Sequence, residues 1–169
     1  MRRNPDAHIV SASALFEGFD GGAGSRYQAR REIRSFWYPT WLAQPAALVE
    51  NSTLIDAPPH RLKLAQIADK ARNYDLAVLH TSAPSFASDV ETIKALKAVN
   101  PALKAGFVGA KVAVDPAGSL KASPAIDFVA RNEFDFTIKE IADGRSWGEI
   151  AGLSYRNAEG VIVQRSAAH

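Results

Sequence analysis

The sequence predicts an α/β fold, in which a doubly wound parallel sheet of about five strands is followed by a C-terminal β-hairpin. Three observations lead to this prediction. Short apolar runs recur along the chain, as is typical of strands buried on both faces. Stretches with helical spacing of apolar residues separate these runs. Near the C-terminus, two short strand-like segments flank a turn that contains glycine.

The clearest strand–loop–helix unit begins with the apolar run at residues 76–79. Residues 80–86 form a loop rich in hydroxyl residues and proline, and Ser85 or Ser88 is placed to cap the next helix. That helix repeats apolar residues on one face, namely Val90, Ile93, Leu96 and Val99. Since such sheets bind ligands beyond the carboxyl ends of their strands, this loop is the first place where we expect a ligand.

The N-terminal part of the chain is predicted to form a strand, a loop and a helix. Residues 8–15 are predicted as the first strand. Residues 16–27 form a glycine-rich loop whose spacing is not that of nucleotide fingerprints. This loop either lets the backbone approach a ligand closely or is a disordered connection. Residues 36–42 (FWYPTWL) begin a helix with Pro39 in its first turn, which Pro45 kinks or interrupts. Aromatic residues at this density favour core packing, with a docking face as the alternative.

The rest of the chain alternates between strands and helices. Strands are predicted at residues 52–57, 104–108 and 126–130. Helices are predicted at residues 62–71 and 135–143, with a further turn at 147–150. Residues 110–120 are ambiguous, and Asp115-Pro116 marks a break or a helix start there. The hairpin joins residues 153–156 to 161–164.

Composition narrows the class of protein. The chain has 169 residues, a net charge of +2 and no cysteine, so disulfides and thiolate metal sites are excluded within it. No apolar run approaches a membrane span, and a cytoplasmic location is expected. A secretory signal is the less favoured alternative, because Pro5, Asp6 and His8 interrupt the N-terminal apolar segment.

A net charge of only +2 does not indicate a nucleic-acid-binding surface, and we expect no nucleic-acid partner. Basic residues do cluster locally, at Arg26, Arg30, Arg31 and Arg34. A solvated face is the favoured interpretation of this cluster, and a phosphate patch is the alternative.

No catalytic apparatus is visible in the sequence. There is no GxSxG elbow, and the four histidines do not have metal-ligand spacing. We therefore predict no catalytic residue and no metal ligand. What remains is a polar or glycine-containing loop after each predicted strand, and all of these loops fall on one edge of the sheet, which predicts a ligand site.

Each candidate in these loops has a second interpretation. His80 either binds a ligand or metal or is satisfied by the backbone. Ser82 and Ser85 either hydrogen-bond a ligand or form a turn and a helix cap. Glu133 either accepts a hydrogen bond from a ligand or caps the following helix.

Several segments together resemble the N-terminal cobalamin-binding domain of class B radical SAM enzymes, which has a Rossmann-like or flavodoxin-like fold. These segments are LHTSAPSFASDVETIKALKAVNP, GFVGAKV, DFVARNEFDFTIKEIA and IAGLSYRNAEGVIV. The last is the most telling, since in that family a Glu-rich exit loop and helix precede a Gly-Leu-Ser-Tyr-Arg hairpin that leads into the catalytic barrel. A further segment is more similar to the hopanoid-biosynthesis member of that family, namely FEGFDGGAGSRYQARREIRSFWYPTWLAQPAALV. That member is associated with forming the cyclitol ether head group of bacteriohopanetetrol.

The resemblance implies a cobalamin-binding α/β domain at residues 1–150 and a hairpin or linker at 151–169 that leads to a radical SAM domain absent from this chain. The residues implied in cofactor binding are His80, Thr81, Ser82, Ser85, Gly109, Ala110 and Glu133. Small residues would let the backbone approach the corrin, and the nucleotide tail of cobalamin would need a slot between sheet and helices. An iron–sulfur cluster, S-adenosylmethionine and a membrane-associated hopanoid substrate would belong to the full-length protein.

Two departures qualify what the resemblance implies. The CxxxCxxC cluster motif is absent, so we expect a fragment that ends at a domain boundary and has no independent catalytic activity. The DxHxxG motif that supplies a histidine to cobalt in methionine-synthase-like domains is also absent. The resemblance thus implies the cobalamin fold more strongly than cobalamin occupancy.

Three other interpretations remain. A cofactor-free docking domain would present a surface such as FWYPTWL to the barrel or to a lipid substrate. A response-regulator receiver is disfavoured because His80 stands where the third strand should end in a phosphorylatable Asp. A small dinucleotide-binding enzyme is disfavoured by the lack of its fingerprint.

Overall fold

The computed structural model describes residues 39–60 and 62–166 and, before them, the backbone of three strands. The strands are β1 (Ala7–Ser11), β2 (Phe19–Asp20), β3 (Gln28–Ala29), β4 (Thr53–Asp56), β5 (Leu76–His80), β6 (Lys104–Val108), β7 (Phe128–Ala130), β8 (Leu153–Arg156) and β9 (Ile162–Gln164). The helices are α1 (Thr40–Leu48), α2 (Ala57–His60), α3 (Leu64–Lys70), α4 (Phe86–Val99), α5 (Ala110–Val114), α6 (Pro116–Lys121) and α7 (Phe134–Ala142). Single 3₁₀ turns lie at Ala71–Asn73 and Trp147–Glu149.

The main sheet has seven strands in the order β4-β1-β5-β6-β7-β8-β9. The five strands from β4 to β7 pair in parallel, whereas β8 pairs antiparallel with both β7 and β9. Numbered along the chain, the parallel strands have the order 2-1-3-4-5, which is that of flavodoxin-like sheets. This order confirms the predicted parallel sheet with its terminal hairpin, and it puts the topological switch point between β1 and β5.

Helices cover both faces of the sheet, which confirms the doubly wound prediction. Along β5 the buried side chains alternate: Ala77 and Leu79 join the core under α3 and α4, and Leu76 and Val78 join the core under α1 and α7. The apolar face predicted for the helix after residue 85 is buried in the first of these cores. A strand buried on both faces explains the unbroken apolar run in the sequence.

Local differences from the predictions have simple causes. The helix α1 continues through the buried Pro45, so of the two expected effects, a kink or an interruption, the interruption does not occur. The ambiguous stretch 110–120 divides into two short helices at Asp115, whose Oδ1 accepts a hydrogen bond from the Gly118 amide at 2.9 Å. The arginine cluster and most of the glycine-rich loop lie outside the described residues.

Candidate functional site

Two adjoining clefts lie at the carboxyl edge of the sheet, where β5, β6 and β7 end. The first, which we call cleft A, has a volume of about 420 Å³ and is lined by Trp41, Gln44, His80, Gly109, Ala110, Ala113, Asn132, Glu133, Phe134 and Asp135. The second, cleft B, has a volume of about 470 Å³ and is lined by His80, Thr81, Ser82, Ala83, Ala110, Lys111, Val114 and Asp115. His80 and Ala110 border both clefts, so a single ligand can extend across the two.

The structure brings together six of the seven residues that the sequence analysis singled out. Cleft walls contain His80, Thr81, Ser82, Gly109, Ala110 and Glu133. Ser85 is buried beneath the loop and lines neither cleft. Its part at this edge is therefore to hold the loop, and its use as a ligand-binding residue stays a prediction.

Hydroxyl groups fix the loop between β5 and α4. The Ser85 hydroxyl accepts a hydrogen bond from the Ser82 amide at 3.0 Å, and the two hydroxyl oxygens lie 2.6 Å apart. Ser85 stands at the N-cap position of α4, but its side chain makes no capping hydrogen bond to the helix. The two serines therefore stabilise the turn through contacts with each other, as the turn interpretation predicts. Ser82 also borders cleft B.

Beneath this loop lies a carboxylate that the sequence analysis missed. Asp89, in the first turn of α4, is fully buried, and its Oδ2 accepts a hydrogen bond from the Thr81 hydroxyl at 2.7 Å. Its Oδ1 has no hydrogen-bond partner among the described residues. Burial raises the pKa of Asp89 to about 6, and the hydroxyls of Thr81 and Ser85 offset only part of that increase.

Gly109 allows the loops after β5 and β6 to touch. Its φ is +115°, and a Cβ at this position would lie 2.4 Å from the Thr81 carbonyl oxygen. The Thr81 amide donates a hydrogen bond to the Val108 carbonyl at 2.9 Å, which draws the two loops together. Only glycine fits here, and the small side chain of Ala110 continues the open wall between the clefts.

An aromatic residue covers His80 from the side of α1. The Trp41 and His80 rings stack with centroids 6.0 Å apart and planes 19° from parallel. Burial lowers the pKa of His80, which favours the neutral imidazole. Residues 36–38 of the aromatic segment lie outside the described residues. In its described part, Leu42 is wholly buried, whereas Trp41 is 50% exposed and lines cleft A.

The two clefts differ in charge. Glu133 and Asp135 stand at the start of α7 beside cleft A, and burial together with the Glu133 charge raises the pKa of Asp135. Glu133 occupies the N-cap position, but its side chain makes no capping hydrogen bond. On the side of cleft B, the Lys111 ammonium lies 5.0 Å from the centre of the Phe86 ring.

The described part of the chain offers no group of three or more His, Cys, Asp or Glu side chains arranged to hold a metal ion. Within the same residues, no helix combines the length and apolar character that crossing a membrane requires.

Comparison with known proteins gives a likeness of fold. No protein-family model matches the chain, and no curated protein matches it significantly. It is similar to the cobalamin-dependent S-adenosylmethionine radical enzyme OxsB, solved with aqua-cobalamin and S-adenosylmethionine bound, at a TM-score of 0.67 and 14% identity over 98% of this chain. The structure of OxsB with aqua-cobalamin gives a TM-score of 0.66, and the apo, selenomethionine-labelled form gives 0.65.

The shared fold occupies a minor part of that enzyme. The chain spans 22% of the length of the OxsB chain in each of these comparisons. At 13–14% identity the likeness extends to the fold alone. The match covers 97–98% of the residues of this chain.

Proposed function

We propose that this chain is the cobalamin-binding module of a radical SAM enzyme and that it has no catalytic activity alone. The observation that carries the proposal is the pair of clefts that meet at His80 and Ala110 on the carboxyl edge of the sheet. Flavodoxin-like sheets bind their ligands at this edge. The fold shared with OxsB, which has been solved with aqua-cobalamin bound, supports the same conclusion.

The residues present fit such a ligand. Each cleft has a volume within the range usual for cofactor sites. Gly109, Ala110 and Ala113 leave one wall of cleft A without bulky side chains, so a flat macrocycle could approach the backbone. Cobalamin carries amide side chains, for which the Ser82 hydroxyl and the Glu133 carboxylate are suitable partners.

The proposed roles of this chain's residues are binding and orientation. Bound cobalamin would supply a redox-active cobalt to chemistry carried out in a radical SAM domain. His80, Thr81, Ser82, Gly109, Ala110 and Glu133 would hold it at the carboxyl edge, with Ser85 supporting the loop from below. In this proposal residues 1–150 form the cofactor domain, and residues 151–169 lead towards the catalytic domain, which would contain the iron–sulfur cluster and bind S-adenosylmethionine.

A titration with hydroxocobalamin tests the binding proposal. We expect the purified chain to change the visible spectrum of the ligand and to retain it on gel filtration. Ala110→Trp places a large ring at the wall that the clefts share and should weaken binding at least about tenfold. Ala98→Trp is the matched control, because Ala98 is exposed near the far end of α4 and should tolerate the ring.

Two outcomes of this titration would contradict the proposal. One is an unchanged spectrum and no retention by the wild-type chain. The other is equal binding by the wild-type chain and the Ala110→Trp variant, which would put the corrinoid somewhere other than the two clefts.

A cofactor-free docking domain is the second candidate, and a specific feature favours it. Three large apolar side chains are exposed around the carboxyl edge: Trp41 at 50%, Val114 at 87% and Phe136 at 70%. Such a surface could contact a catalytic domain or a lipid substrate without any cofactor. This candidate predicts that the wild-type chain leaves the spectrum of hydroxocobalamin unchanged and emerges from gel filtration without bound pigment.

We further propose, from the resemblance of the N-terminal segments, that the parent enzyme acts in hopanoid lipid biosynthesis. Its substrate would then be a membrane-associated hopanoid, and its catalytic domain would follow this module. A CxxxCxxC motif encoded in frame downstream of these residues, together with loss of a hopanoid head group when the gene is deleted, is the expected result. An unchanged hopanoid profile would contradict the role.

A further inference from the structure

A buried carboxylate lies beneath the loop that forms one wall of cleft B. Asp89, in the first turn of α4, is fully buried and lines neither cleft. Its Oδ1 has no hydrogen-bond partner among the described residues. Burying a carboxylate with an unpaired oxygen lowers the stability of a fold, whereas a well-packed apolar side chain at the same place would not. A contribution to stability therefore does not account for this residue, and another role has to.

The second oxygen of Asp89 holds the loop through Thr81. Asp89 Oδ2 accepts a hydrogen bond from the Thr81 hydroxyl at 2.7 Å, and both side chains are buried. Thr81 borders cleft B but is only 1% exposed, so its hydroxyl is turned inward to Asp89. A hydrogen bond accepted by a carboxylate away from water is stronger and more directional than apolar packing. Asp89 therefore fixes the position of Thr81 from below.

Thr81 in turn joins the loops that follow β5 and β6. Its amide donates a hydrogen bond to the Val108 carbonyl at 2.9 Å, and its carbonyl oxygen is the atom that a Cβ at Gly109 would meet at 2.4 Å. Ser82, the next residue, lines cleft B, and Gly109 lines cleft A. The position of Thr81 thus sets the spacing of the loops that border the two clefts.

We propose that Asp89 is a positioning residue for the ligand edge: through its hydrogen bond to Thr81 it keeps the loops after β5 and β6 in the arrangement that binds the ligand, without touching the ligand itself. This inference rests on the proposed function and deepens it. A site whose walls are held in place before binding loses less free energy in ordering them when the ligand arrives. In this role Thr81 transmits the support of the buried carboxylate to the clefts.

A double-mutant cycle tests the role in hydroxocobalamin titrations of the full chain. Thr81→Val and Asp89→Leu each remove one side of the hydrogen bond, and each should weaken binding about fivefold. The double variant should lose no more affinity than either single variant, because the two side chains act as a unit. It should also unfold at about the same urea concentration as the wild-type chain, since both partners of the bond become apolar groups of similar shape. Loss of affinity without loss of stability is not the signature of a residue that only supports the fold.

A conservative variant and a matched control complete the design. Asp89→Asn keeps an oxygen that can accept from the Thr81 hydroxyl, so it should bind hydroxocobalamin within about twofold of the wild-type chain. Thr92→Val is the control, because Thr92 is also buried on α4, but its hydroxyl donates to the Ser88 carbonyl at 3.1 Å within the helix. The control should leave the affinity unchanged.

The outcomes separate the inference from the proposed function. If the wild-type chain binds and the double variant binds equally well, or if the two single losses add, the positioning role is wrong while the proposed function stands. An equal loss in Asp89→Asn and Asp89→Leu would also overturn the role, because the charge rather than the hydrogen bond would then matter. Should Asp89→Leu not fold, the isosteric Thr81→Val decides the test, and an unchanged affinity in it overturns the inference. A wild-type chain that does not bind hydroxocobalamin overturns the proposed function itself.

Discussion

The two ends of the sheet use polar groups in opposite ways. At the amino edge, two polar side chains are paired within the protein, although Nε of the nearby Arg156 has no partner in the described structure. Asp127 Oδ2 accepts a hydrogen bond from the Ala105 amide at 2.8 Å and lies 2.6 Å from the Lys97 ammonium. The Asn100 side-chain amide donates to two backbone carbonyls, those of Ala71 at 3.0 Å and Tyr74 at 2.8 Å. These bonds join α4, β6 and β7 at one end.

At the carboxyl edge, polar groups are left partly unsatisfied. Asp89 is buried with one oxygen unpartnered in the described structure, and the pKa values of His80, Asp89 and Asp135 are shifted, mainly by burial. Gly109 keeps two loops in contact in a backbone conformation that other residues avoid. The comparison indicates that the amino edge contributes stability, whereas the carboxyl edge has the open space and unsatisfied polar groups that the proposed ligand would use.

The largest effect is expected from Gly109→Ala. Its Cβ would lie 2.4 Å from the Thr81 carbonyl oxygen at a φ of +115°, so we expect the free energy of unfolding to fall by about 3–4 kcal/mol. Gly144→Ala is the matched control, because Gly144 also has a positive φ, +78°, but nothing lies within 4 Å of its Cβ. The control should cost about 1 kcal/mol in urea unfolding. Equal losses in the two variants would show that the loops do not touch.

Asp89 should make the stability of the protein depend on pH. Its pKa is about 6 when folded and 3.8 ordinarily, so between these values the folded state holds a proton that the unfolded state releases. The free energy of unfolding contributed by Asp89 therefore falls as pH rises from about 4 to 6, by about 3 kcal/mol in total. The difference in stability between wild type and Asp89→Asn, measured by denaturation from pH 3.5 to 7, should follow this curve. A constant difference would contradict the burial of the carboxylate.

The amino edge should influence stability without influencing binding. Asp127→Ala removes the acceptor for the Ala105 amide and the partner of Lys97, and it should lower the free energy of unfolding by about 2 kcal/mol. We expect its affinity for hydroxocobalamin to equal that of the wild-type chain. A loss of affinity in the folded variant would break the contrast between the two edges.

The smallest effect is expected for the surface ion pair on α7. Lys139 lies 2.7 Å from Asp143, and both side chains are substantially exposed. Lys139→Met should change the free energy of unfolding by less than about 0.5 kcal/mol. Adding salt should have little effect on the difference. A loss as large as that of Asp127→Ala would mean that the partly buried amino-edge pair has no special role.

The sequence predicted the strands, and the edge of the sheet at which the clefts lie, better than it predicted the side chains at that edge. The strand β6 was predicted with the bounds that the structure shows, because Asn100-Pro101 and Gly109 delimit an apolar run. The ends of β5 and β6 then placed His80 and Gly109 together, since carboxyl ends of parallel strands share an edge.

Two residues of the site could not be predicted for identifiable reasons. Trp41 belongs to an apolar segment, and only the packing of α1 against α7 decides that its ring faces a cleft while Leu42 enters the core. A charged residue in the first turn of a helix is usually solvated, and the sequence gives no reason to expect otherwise for Asp89. In the structure, tertiary packing buries this side chain completely. An acidic residue next to the apolar face of α4 was the available signal, and helical periodicity alone could not interpret it.

The most direct test of the ligand edge is a two-dimensional amide NMR titration of the full chain with diamagnetic cyanocobalamin. The account predicts that shifts concentrate at the loop amides of the carboxyl edge, around Thr81, Ser82, Gly109, Lys111 and Asn132, and that those of Leu103, Lys104 and Asp127 at the amino edge stay in place. Shifts confined to the amino edge, or none anywhere at saturating ligand, would contradict it.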